Sequence, residues 1–114
     1  MDIKRTGSGA WNSRAVVHNG VAYLSGLVAD DKSLTVKQQT AQVLEKIDAV
    51  LAQLGTDKTK ILSSVVYMAD LGEKDAMNEA WMAWMDPAHP PARAAVGVTL
   101  TPGTAVEIMV QAAV

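Results

Sequence analysis

Residues 92–113 read ARAAVGVTLTPGTAVEIMVQAA. Side chains alternate between the two faces of a β-strand, so each half of this stretch sorts into two rows. In the first half Ala94, Val96, Val98 and Leu100 form an apolar row, against Arg93, Ala95, Gly97 and Thr99. In the second half Val106, Ile108 and Val110 oppose Ala105, Glu107, Met109 and Gln111. Thr101-Pro102-Gly103 supplies turn chemistry between them. Strands are therefore predicted over Ala92–Leu100 and Ala105–Ala113, with the two purely apolar rows lying under helices. The other rows are Ala, Gly, Thr and Met around one Arg and one Glu. Such a face is too apolar for water and too small-grained to be a core by itself. A second copy of the chain is its simplest cover, which predicts a homo-oligomer with this far face at or near the interface.

Upstream of these strands, Ala76, Met77, Ala80, Trp81, Trp84 and Met85 recur at helical spacing, after Asp70 and Glu73 in N-cap spacing and before Asp86-Pro87, which stops the helix. Ile61 to Met68 is β-branched and apolar on both faces in its second half, as in a central strand covered on both sides. Val36, Val43, Leu44, Ile47, Val50, Leu51 and Leu54 mark a first helix over Val36–Leu54, with a capping box at Thr35 and Gln38 and a left-handed terminator at Gly55. Ala15 to Ser25 holds two β-prone runs around Asn19-Gly20, a hairpin, and Ile3 to Thr6 adds a short edge strand. The order is β-β-β-α-β-α-β-β without repeat or linker. The expected class is α+β, a single domain over residues 1–114 with two helices on one face of a mixed sheet.

Composition narrows function. The chain of 114 residues is 49% hydrophobic and 19% charged, ordinary for a globular domain. Its net charge of −2, without a basic cluster, argues against nucleic acid as partner. There is no cysteine, which removes disulfides, thiolate zinc sites and cysteine nucleophiles together. His18 and His89 have no second ligand at metal spacing, so no metal is expected. No apolar run reaches membrane-spanning length and residues 1–10 carry no signal-like segment, giving a cytoplasmic expectation with no membrane partner.

Several short motifs occur in one order along nearly the whole chain. They are Ser13-Arg14-Ala15-Val16, Tyr23-Leu24-Ser25-Gly26, Gln38-Gln39-Thr40, Met77-Asn78-Glu79-Ala80-Trp81, Pro91-Ala92-Arg93 and Val106-Glu107-Ile108. In this set the chain resembles the reactive intermediate deaminase (RidA, or YjgF) superfamily, and within it the short bacterial YoaB-like members. The resemblance implies a chorismate-mutase-like α+β fold, a homotrimer with its sheets packed at the centre, and ligand clefts between subunits. It also implies hydrolysis of 2-imino acids to 2-keto acids and ammonia, with neither cofactor nor metal.

The same resemblance gives residues their expected roles. Arg93 would hold the substrate carboxylate, since a guanidinium fork makes two parallel charge-assisted hydrogen bonds; its plainer reading is a strand-end Arg paired with a surface carboxylate. Glu107, expected on the same sheet face as Arg93, would orient or activate the attacking water, or else pair with a cation across the trimer. If the two lay on adjacent antiparallel strands, their separation would suit one small substrate. Ser25 and Gly26 would line the cleft, or simply end a strand. Asn78 matches a family Asn as a supporting residue, or is merely solvated. Trp81 and Trp84 are expected to serve core or interface packing. The chain departs from the family where Asn12 replaces a cleft Tyr with Trp11 beside it, where Ala95 replaces a frequent Cys, and where the span from Arg93 to Glu107 is a residue shorter. Trp11, Asn12 and Ala95 thus become expected pocket-wall residues. The rival reading is a non-catalytic module that binds 2-keto acids or related carboxylates as a metabolite sensor.

Overall fold

The computed structural model describes residues 2–114; Met1, where the expected domain begins, lies outside the described residues. Strand β1 (Lys4–Thr6) pairs antiparallel with β2 (Ala15–His18), which turns into β3 (Val21–Leu24). Asn19 at φ 53° and Gly20 at φ 75° supply the two positive angles that a two-residue hairpin turn requires. Pairing stops at Ser25 and Gly26, as expected. It resumes as β4 (Leu27–Val28), a strand too short to leave a periodic signature.

Helix α1 (Val36–Gln53) starts at the expected capping box: Gln38 N–H donates to Thr35 Oγ1 at 3.2 Å, and Thr35 N–H to Gln38 Oε1 at 3.1 Å. It ends in a Schellman arrangement, with Gly55 at φ 76° and Thr56 N–H donating to the Leu51 carbonyl at 3.0 Å. Strand β5 (Ile61–Met68) follows, then α2 (Lys74–Trp84), β6 (Ala92–Gly97) and β7 (Val106–Ala113). Asp70 caps a short 3-10 turn (Leu71–Glu73) rather than α2 itself, accepting from Gly72 N–H at 2.8 Å. Met85, extended at ψ 139°, ends α2 ahead of Pro87.

The strand order is β1-β2-β3-β7-β5-β6, with β4 also pairing β7. β7 runs antiparallel to β3, β4 and β5, whereas β6 lies parallel to β5. A parallel neighbour needs a crossover, and α2 provides it. Both helices cover one face, where Leu24, Val66, Met68, Val106, Ile108 and Val110 meet Leu44, Ile47 and Leu51 of α1 and Met77 and Trp81 of α2. Buried Gln39 ties the layers: its Nε2 donates to the Leu34 and Gly103 carbonyls, each at 3.1 Å, and its Oε1 accepts from Ala105 N–H at 2.9 Å. Among the described residues, no helix is long and apolar enough to cross a membrane.

The final strands depart from expectation in two ways. β6 ends at Gly97 rather than Leu100 and never touches β7, because β5 lies between them. Its faces are also reversed. The register Ser64↔Arg93, Val66↔Ala95, Met68↔Gly97 puts Arg93, Ala95 and Gly97 in the helix-side row with the buried residues of β5. Ala94 and Val96 take the far face instead. The physical reason is space. A Cβ on Gly97 would stand 3.0 Å from Leu71 Cδ1, so only small side chains fit beneath the turn into α2. The far face is correspondingly more apolar than the reading from alternation gave, with Tyr23, Val96 and Met109 exposed on it.

Candidate functional site

A first group of polar residues gathers where β3 breaks into β4. Between the pairs Tyr23↔Gln111 and Leu27↔Ile108 stand Leu24, Ser25 and Gly26 on one side but just Met109 and Val110 on β7. The surplus residue makes a β-bulge, a device that re-aims side chains. Ser25 Oγ donates to the Ser13 carbonyl at 2.5 Å and accepts from Asn12 Nδ2 at 3.5 Å. The preceding loop is pinned by Gly9 N–H on the Asn12 carbonyl at 2.7 Å and by the Ser8 and Ser13 hydroxyls at 2.9 Å. Trp11 projects from that loop, 90% exposed. Across the bulge, Glu107 lays its carboxylate against Gly26. A Cβ there would overlap Oε2 and stand 3.1 Å from Cδ, so the absence of a side chain makes room for the acid.

The second group lies on the opposite face. Arg93 is half-buried at the sheet edge, its Cζ 4.9 Å from the centroid of the Trp81 ring and its Nη1 3.6 Å from Met77 Sδ. Thioether sulfur is a weak acceptor, and among the described residues no carboxylate lies within ion-pair distance of Arg93. Burial alone lowers its pKa from the ordinary value, and the group remains a cation at neutral pH. The strand-end ion pair that was its plainer reading is not formed. Asn78, next to Met77 on α2, is half-buried and makes no side-chain hydrogen bond among the described residues. Ala95 packs against the core rather than lining the first group.

Arg93 and Glu107 therefore share neither a face nor a pair of adjacent strands, contrary to expectation. Through β5, Arg93 aligns with Val110, three residues along β7 from Glu107 and two strand spacings away. Their Cα atoms are roughly 14 Å apart by strand geometry, and the side chains diverge. One small molecule cannot touch both in one protomer. Sequence reasoning also missed Trp81 and Met77 as the partners of Arg93. The signal was present: a β-α-β order implies a parallel crossover, which sets α2 over the strand that carries Arg93. A groove of about 670 Å³ runs between α1 and α2 past Asp48, Lys58 and Trp84, but none of the expected site residues lines it.

Comparison with known proteins gives concordant matches. Residues 4–114 match the family model Ribonuc_L-PSP, described as Endoribonuclease L-PSP. A RutC family protein of Haemophilus ducreyi is 43% identical over 103 residues, 90% of this chain and 88% of that one. The RutC family protein YoaB of Escherichia coli K12 is 39% identical over 115 residues, spanning 100% of both chains. The crystal structure of a YjgF family member from Neisseria meningitidis superposes with a TM-score of 0.95 at 41% identity, covering 99% of this chain and 95% of that one.

Proposed function

This chain belongs to the RutC/YjgF family described by the endoribonuclease L-PSP model, and from that premise we propose that it hydrolyses 2-imino acids to 2-keto acids and ammonia in clefts between the subunits of a homotrimer. The observation that carries this reading is Arg93, a half-buried cation without a carboxylate partner among the described residues. A partly desolvated guanidinium fork without a counter-ion is a receptor for a carboxylate. The separation of the two groups supports a composite cleft. Arg93 and Asn78 come from one subunit, and Ser25, Gly26 and Glu107 from its neighbour, with Trp11 and Asn12 at the rim. The apolar far face, with Tyr23, Val96 and Met109 exposed in the protomer, supports burial against other copies.

In this cleft Arg93 fixes the carboxylate and backbone groups at the bulge position the imine. Glu107 accepts a proton from water as the water oxygen bonds to C2 and the C=N π pair moves to nitrogen. The proton then passes to the amino group of the carbinolamine. As the C–N bond breaks and ammonia leaves, the hydroxyl oxygen's lone pair forms the C=O bond and the hydroxyl proton returns to the Glu107 carboxylate, leaving the 2-keto acid. A protonated imine is already electrophilic, so positioning supplies much of the acceleration. No cofactor or metal enters this scheme, and the proposed setting is the cytoplasm, where it would clear reactive metabolites. RNA is not the proposed substrate despite the family description, because a net charge of −2 offers no row of cations to phosphates.

The test is the hydrolysis rate of 2-iminobutanoate, generated in place by an amino-acid oxidase, for wild type and Arg93→Ala, with oligomeric state measured for both. Acceleration by the wild type that is lost in a still-trimeric variant is the expected result. If wild type accelerates no small imine yet binds 2-keto acids, the non-catalytic sensor reading replaces this one.

A further inference from the structure

We propose that Trp81 and Met77 are positioning residues, an apolar shelf on which Trp81 holds the Arg93 guanidinium over its ring and Met77 holds one N–H weakly, leaving the fork available to a ligand carboxylate. The inference rests on the reading of Arg93 given above. A guanidinium carries all five N–H donors in its plane. A carboxylate partner inside the protein would occupy those donors and would have to be displaced by substrate. An aromatic ring attracts the cation through its π-face, at right angles to the donors, so it orients the fork without competing for it. The Arg93 guanidinium lies over the Trp81 ring, with Cζ 4.9 Å from its centroid. Met77 Sδ, at 3.6 Å from Nη1, is the one acceptor the fork has among the described residues, and a thioether yields readily to a carboxylate.

The shelf is rigid. Met77 and Trp81 are four residues apart on α2, one turn of the same face, and both are buried. Trp84 leans on Trp81 with ring centroids 5.5 Å apart at 60°, and its indole N–H donates to Asp48 Oδ2 at 2.9 Å. A line of contacts thus runs from Asp48 on α1 through two tryptophans to the guanidinium. Because the shelf is set before the ligand arrives, less side-chain freedom is lost on binding.

The experiment measures affinity for 2-ketobutanoate by calorimetry and kcat and KM for 2-iminobutanoate, using full-length Trp81→Leu, Trp81→Phe and Met77→Leu, each also in an Arg93→Ala background. Trp81→Leu is expected to weaken binding and raise KM about 3- to 30-fold, the range for a partly desolvated cation–π contact, with a smaller change in kcat. Trp81→Phe is expected to restore part of the loss. In the Arg93→Ala background none of the three should weaken the residual 2-ketobutanoate binding further. Trp81→Phe keeps an aromatic ring in the core and Met77→Leu keeps its volume, so the test survives if Trp81→Leu fails to fold. If Arg93→Ala impairs binding but the shelf variants behave as wild type, or weaken it equally with and without Arg93, the shelf is wrong and the anchor stands. If wild type neither binds the keto acid nor turns over the imine, both fall.

Discussion

Gly26→Ala adds one methyl group at the point where the Glu107 carboxylate rests. The backbone tolerates it, since Gly26 is not among the glycines with positive φ. The methyl carbon would overlap Oε2, with Cδ at 3.1 Å and Cγ at 3.2 Å, so the carboxylate must withdraw by on the order of 1 Å to reach ordinary contact. What moves is the free end of a half-buried side chain, so the stability cost should stay below about 1 kcal/mol. Catalysis should be far more sensitive, because misplacing a reacting group by about 1 Å can lower the rate about 100-fold. The assay pairs kcat/KM for 2-iminobutanoate with a urea midpoint and the affinity for 2-ketobutanoate. The expected pattern is a loss of about 100-fold in kcat/KM, a nearly unchanged midpoint, and binding through Arg93 preserved within about threefold. Wild-type turnover in Gly26→Ala would refute the assignment of Glu107 to the water. A matching collapse of stability would refute the claim that Gly26 is there for the carboxylate.

Gln39→Leu removes three good hydrogen bonds to partly buried backbone groups and should cost about 3 kcal/mol by urea titration, against about 0.5–1 for Gln38→Ala, which loses half a capping box; the reverse ranking would contradict the proposed tie between layers. Val96→Asp alters a far-face side chain that is 39% exposed in the protomer, so the fold should survive by circular dichroism while size-exclusion chromatography shows dissociation and imine turnover disappears. An active monomer would overturn the composite cleft. Side-chain hydrogen bonds hold Asp30 (from Lys46), Asp31 (from Ser33) and Asp57 (from Thr59) below the ordinary carboxylate value, and Asp86 is lowered chiefly by the backbone N–H of Ala88. A depressed folded-state pKa gives stability that is present above the unfolded value of 3.8 and lost as pH falls through the lower folded values. The urea midpoint should therefore be level just above about pH 5 and fall below about pH 4, with a shallower fall in Asp57→Asn; a midpoint still level at about pH 3 would refute this.

Local chemistry made most elements readable. Asn19-Gly20, Thr35 with Gln38, and Gly55 each act through their own backbone or nearest turn, so the sequence carries their meaning within a few residues. β6 was misread because alternation reveals two rows but not which one meets the core. Val96 and Val98 outrank Ala95 and Gly97 in apolar size, yet the space under α2 admits the smaller pair. In the proposed trimer the usual inference reverses, since an outer sheet face buried between subunits can be as apolar as a core. The motif positions of Arg93, Ser25, Gly26 and Glu107 were legible, but their division between two faces was not. That division depends on β5 lying between β6 and β7, a pairing set by the whole chain.

The central place of β7 bears on how the chain is made. Its neighbours β3, β4 and β5 all leave the ribosome first, yet none can be joined to the others until residues 106–113 exist. In a chain lacking those residues the N-terminal hairpin and the β5-α2-β6 unit would be two half-sheets, each with an open edge. β7 closes both inner edges at once, so a product truncated before it would carry an aggregation hazard that the finished sheet does not.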